Sequence, residues 1–126
     1  PLLCGILFHS NDGYAREQVT EEFQRSGLID TLVESLSSGD GAVRETAEHA
    51  LYVMGVHGAV SRLIRAMDDK DSLIRRRAAS ILGRVGNPRA KEALERVERF
   101  DEVSEVRREA EKALTAMMLS SAGTVV

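Results

Sequence analysis

Few residues in this chain could bind a metal or act as a nucleophile: Cys4, His9, His49 and His57. Structural zinc needs paired Cys or His ligands at short spacing, and a catalytic zinc helix needs two His four residues apart beside a Glu. Neither pattern occurs here. Glu48 and His49 are adjacent, but one such pair supplies too few converging ligands, and His49 is expected to face solvent. Cys4 lies in the apolar run LLCGILF, where a thiol is usually an inert small hydrophobe. Gly39 and Gly41 flank a short turn and follow no strand, so they do not form a phosphate-cradling loop. No catalytic residue, metal site or cofactor is expected, and the chain does not read as an enzyme.

Arginine is the residue type with regular spacing. Arg16, Arg44, Arg75 and Arg107 recur along the chain, and guanidinium groups in a row could form a ladder for phosphates or carboxylates. Asp12, Asp40 and Asp71 each stand four residues before one of them, in the polar stretches SNDG, SGDG and DKDS. Those stretches read as loops closed by a helix cap. A structural ladder is therefore expected, with Asp and Arg paired within or between neighbouring loops. The fourth loop, FDEVSE, is longer and less regular.

Charge is segregated along the chain. Residues 1–55 carry 3 basic and 9 acidic groups, residues 56–91 carry 9 basic and 3 acidic, and the remainder 5 and 8. The basic block, from Arg62 to Lys91, could attract phosphates or acidic proteins through its field. A sequence pI near 5.6 and the acidic first half disfavour nucleic acid.

The elements that carry these residues repeat. Segments 14–27 (YAREQVTEEFQRSG), 42–55 (AVRETAEHALYVMG), 73–86 (LIRRRAASILGRVG) and 105–118 (EVRREAEKALTAMM) align without gaps, their starts 28, 31 and 32 residues apart. Apolar residues fall at their second, sixth and tenth positions, among them Phe23, Leu51, Leu82 and Leu114, and this spacing is the stripe of an amphipathic helix. Gly27, Gly55 and Gly86 end the first three and predict left-handed caps. Shorter amphipathic segments lie between, over 28–36, 59–67 and 88–100, and the apolar residues 1–8 resemble a shortened first helix. Helical hairpins follow, in units of about 1–27, 28–55, 56–86 and 87–118 with a tail over 119–126, all within one domain.

The pattern of a short helix, an acidic loop and then V/I-R-x-x-A-x-x-A/I-L-G-x-V-G resembles the HEAT repeat, in the short variety of phycobilisome-lyase-like HEAT proteins within the armadillo-like superfamily. The residues IRRRAASILGRVGNPRAKEAL carry the resemblance most strongly. The first unit is degenerate, with Glu22 where the others have Ala50, Ile81 and Ala113. A tetratricopeptide array lacks its Trp, Leu-Gly and Tyr signature here, and ankyrin its T-P-L-H. The resemblance implies an all-α fold, a right-handed α-α superhelix of about four HEAT-like hairpins, whose second helices line a concave side where a partner protein is held. Kinship of the repeat also suggests a bilin lyase-like enzyme component as a lesser alternative, beside phosphate or nucleic-acid contact through residues 62–91.

On the concave side the resemblance and the helical register place Glu17, Glu21, Glu45, His49, Tyr52, Arg76, Arg77, Ser80, Arg84, Arg108 and Lys112. Tyr52 is expected as the exposed aromatic among them, since Tyr and Arg dominate many interface energies. Gly83 is expected to serve backbone packing. The ends are apolar, with Leu2, Leu3, Met118 and Leu119, and a repeat array needs polar outer faces, so self-association through the ends or membership of a longer array is expected. A single Cys and no apolar run of membrane-spanning length point to the cytoplasm.

Overall fold

The computed structural model describes residues 13–125, of which 120–125 are described as backbone alone. Cys4, His9, Asp12 and the helix expected over 1–8 lie outside the described residues. Among the described residues seven α-helices follow one another: α1 (Gly13–Ser26), α2 (Leu28–Glu34), α3 (Gly41–Val56), α4 (Ser61–Ala66), α5 (Ser72–Val85), α6 (Lys91–Phe100) and α7 (Ser104–Val125). Short 3-10 turns extend the end of α2 over Ser35–Ser37 and lead into α6 over Pro88–Ala90. Among the described residues there is no strand. Each short helix packs on the long helix after it, and α3, α5 and α7 lie side by side. The result is an all-α solenoid of stacked hairpins.

Local chemistry sets the start of each long helix. Asp40 and Asp71 sit in extended backbone, and each carboxylate accepts the N–H two residues on, from Ala42 and Leu73. Such a cap satisfies one of the orphan donors of the first turn and contributes about 1 kcal/mol. Pro88 begins its turn behind an Asn87 cap, at a position where its missing N–H costs nothing.

The stripe read from the sequence forms the core. Val19, Ala47, Ala78 and Ala110 are buried, as are Phe23, Leu51 and Leu82, while Leu114 in α7 is half-buried. Ala50, Ile81 and Ala113 are buried too, and Glu22, at the same register in α1, is exposed.

One expected cap is corrected. Gly27 and Gly86 do take left-handed backbone, with φ of 80° and 72°. Gly55 does not: α3 runs past it to Val56, and Gly58 makes the turn instead, with φ 101°. Gly55 is buried, and a Cβ there would stand 2.7 Å from the Val85 methyl of the next long helix. It is a close-approach glycine. Gly83 is another, since a Cβ on it would meet the Ala113 backbone at 2.7 Å, in keeping with the packing role expected of it. The fourth long helix also continues to Val125, well beyond Met118 where its repeat was expected to end.

Candidate functional site

The repeated arginines lie along the edge where short helices turn into long ones. Arg44 donates from Nη1 to the Ser38 carbonyl at 2.9 Å, Arg75 to that of Asp69 at 2.9 Å, and Arg107 to that of Asp101 at 2.6 Å. In each case the acceptor lies six residues back, so the guanidinium closes its own loop. Arg75 does more: Nε and Nη2 meet both oxygens of Asp101 at 2.9 and 3.2 Å, a bidentate pair with side chains 15% and 7% exposed. Asp101 also accepts the Val103 N–H, at the start of α7.

Three of the four arginines therefore close their own loops, and the acidic partner found differs from those expected. The carboxylates of Asp40 and Asp71 are engaged as helix caps and do not pair with the guanidinium groups of Arg44 or Arg75. The carboxylate that meets the ladder is Asp101 of the fourth loop, in the neighbouring hairpin. Arg16 has a buried Nε with no hydrogen-bond partner among the described residues. The carbonyl six residues before it belongs to residue 10, outside the described part.

The basic block is largely turned towards neighbouring hairpins. Arg62 pairs with Asp30, Arg77 donates to the Leu36 carbonyl and lies 3.7 Å from Glu48, and Arg89 donates to Ser61 at 3.1 Å. Arg96 lies 3.7 Å from Asp68. Arg84 stacks over Tyr52, its guanidinium carbon 4.7 Å from the ring centre. Of the nine basic residues between 56 and 91, only Arg65, Lys70, Arg76 and Lys91 have no such contact. Segregation of charge along the chain has become complementarity between units.

What remains on the face of the long helices is a band of charged and polar groups. Glu17 and Glu21 of α1, Glu45 and His49 of α3, Arg76 and Arg84 of α5, and Arg108 and Lys112 of α7 are all exposed. Three members of the expected set sit differently. Tyr52 is half-buried against the core, with the Arg84 guanidinium over its ring. Arg77 is drawn back to Glu48 and Leu36, and Ser80 is partly covered.

Among the described residues a hollow of about 410 Å³ lies beside Arg108 and Lys112 on α7, and two others lie away from that band. One, of about 380 Å³, lies at the loop edge between α4 and α6 and includes Met67, Asp69, Arg75, Arg96 and Phe100. Phe100, 75% exposed, was not anticipated as a surface aromatic. It is the last residue of α6, beyond the buried Ala93, Leu94 and Val97. The other, of about 740 Å³, lies between α6 and α7.

Among the described residues no group of three or more His, Cys, Asp or Glu could hold a metal ion, and no helix is long and apolar enough to cross a membrane. A family model described as HEAT repeats matches residues 29–115, from α2 through most of α7. No curated protein matches the chain.

Proposed function

The chain belongs to the HEAT-repeat family, whose repeats commonly mediate protein–protein contact or scaffolding and are generally non-enzymatic, and from that membership we propose that it holds a partner protein on the face of its long helices. The units carrying this face are 1–27, 28–55, 56–86 and 87–118, in the short phycobilisome-lyase-like variety of the repeat. One observation supports the reading above others. The Arg84–Tyr52 stack joins two long helices, and Arg76 on one helix and Glu45 and His49 on the other are exposed. A guanidinium pre-ordered on an aromatic ring loses little freedom on binding, and Arg and Tyr are the residue types that most often dominate interface energies.

The charge pattern gives the partner its chemistry. The face is acidic on α1 and α3 and basic on α5, so it fits a protein surface whose charge changes sign along its length. With Arg62, Arg75, Arg77 and Arg89 tied to neighbouring units, the block has too few open cations to favour phosphate contact over protein contact.

Capture from a lysate of the source cell tests this with matched charge reversals. Arg76→Glu lies on the face, and Lys70→Glu lies on the loop edge. A partner lost with the first and retained with the second supports the proposal. A partner lost with Lys70→Glu and retained with Arg76→Glu places the binding surface on the loop edge and refutes it.

A further inference from the structure

Charge on the long-helix face is divided by helix, and the basic half lacks carboxylates to neutralise it. Helix α5 carries no Asp or Glu anywhere in Ser72–Val85. Its exposed cations, Arg76 and Arg84, stand eight residues and so about 12 Å apart along the axis. On α7, Arg108 and Lys112 are exposed and line the hollow of about 410 Å³ together with Glu111 and Leu119. A Cβ on Gly83 would stand 2.7 Å from Ala113, so α5 and α7 lie close enough to present these cations on one surface. Arg76 and Arg108 hold the same position in their repeats, and stacking therefore sets like charge beside like. Among the described residues Arg76, Arg108 and Lys112 form no side-chain ion pair, and Arg84 is met by the Tyr52 ring. Arg77 on the same helix, by contrast, lies 3.7 Å from Glu48.

Cations held side by side repel one another, and an anionic occupant replaces that repulsion with attraction. Their spread says what kind of occupant. A single phosphate reaches only one neighbouring pair, whereas an extended chain rises about 3.3 Å per residue and covers the distance from Arg76 to Arg84 with about four residues. The other half of the face limits where such a chain can lie, because Glu17 and Glu21 of α1 and Glu45 of α3 are exposed and repel it. Leu119, 68% exposed at the same hollow as Lys112, offers apolar ground for a side chain next to the acidic ones. We infer that the segment of the partner held on α5 and α7 is acidic, a run of Asp or Glu side chains laid across Arg76, Arg84, Arg108 and Lys112. Such a segment presupposes partner binding on the long-helix face and gives the bound partner its chemistry.

Fluorescence anisotropy with the full chain and two labelled peptides tests this. One peptide alternates Glu with Gly, and its twin carries Gln in place of each Glu. The Glu peptide should bind, and the Gln peptide should bind at least about tenfold more weakly, since most of the attraction is ionic. Two variants of equal net charge then locate the contact. Arg76→Gln with Arg108→Gln should weaken binding of the Glu peptide at least about fivefold, whereas Lys70→Gln with Lys91→Gln, off the face, should leave it within about twofold. All four side chains are exposed, so neither variant disturbs the core. Attraction by the field of the whole molecule would weaken both alike. Absent binding of the Glu peptide, equal affinity for the two peptides, or an equal loss in the two variants overturns the inference. So does inorganic phosphate that displaces the Glu peptide as fully as unlabelled peptide does at the same concentration, which would assign the cations to phosphate. If capture of the partner is lost with Arg76→Glu while the two peptides bind alike, the partner stays on the face and only its acidic character is refuted. Capture lost with Lys70→Glu instead removes the face itself.

Discussion

Arg75 holds together two loops and two hairpins through one planar group. Its guanidinium meets two carbonyls of its own loop and both oxygens of a buried carboxylate in the next. Removing it leaves the Asp101 carboxylate without its bidentate partner and largely shielded from water, so Arg75→Ala is expected to destabilise the fold by about 3 kcal/mol, the lower end of what breaking a buried pair costs. Arg76, its exposed neighbour, has no such bonds, and Arg76→Ala should change stability by less than about 0.5 kcal/mol. Urea denaturation of the two variants checks the difference, and equal midpoints would remove Arg75 from its structural role. The ladder was legible in the sequence because four arginines share one register. Its carboxylate was not, because Asp101 stands six residues before Arg107, whereas Asp40 and Asp71 stand four before theirs. Those two look like ion-pair partners and are caps, a distinction that depends on backbone angles rather than on residue type.

At the scale of the helix, glycine separates what sequence can and cannot reveal. Gly27 and Gly86 follow the last apolar residue of a stripe, and their left-handed backbone could be read from that alone. Gly55 has the same local context, yet its reason is Val85, thirty residues on and in another helix. Only the fold brings them together. The two close-approach glycines should respond differently to alanine. At Gly83 the new methyl meets Ala113 backbone, which cannot move without shifting α7, and Gly83→Ala should cost about 1–3 kcal/mol as an overpacked contact. At Gly55 it meets the tip of a valine side chain, and the gain of about 1 kcal/mol in helix propensity offsets much of the clash. Thermal unfolding should rank Gly83→Ala well below Gly55→Ala; the reverse order would mean that α5 and α7 are not in backbone contact. Asp71→Ala, which removes a cap, should cost about 1 kcal/mol by the same measurement.

For the whole molecule, periodicity in the sequence carried the architecture, while the fate of its charges needed three dimensions. A run of nine cations between 56 and 91 reads as a basic patch. Stacking places most of them beside carboxylates, a carbonyl, a hydroxyl or a ring of an adjoining unit, and no linear pattern shows which. Duplex DNA should accordingly bind no more tightly than expected for a chain of pI near 5.6, with no steep salt dependence in a fluorescence titration. The band from Glu17 to Lys112 across α1, α3, α5 and α7 is exposed, and a partner is expected to bind there. Photo-crosslinking tests it most directly. A photoreactive side chain is placed at Arg76, at Arg108, or at Glu92 on the short helix α6, and the chain is irradiated with its captured partner. Adducts from Arg76 and Arg108 with none from Glu92 are the predicted result; adducts from Glu92 alone would contradict it.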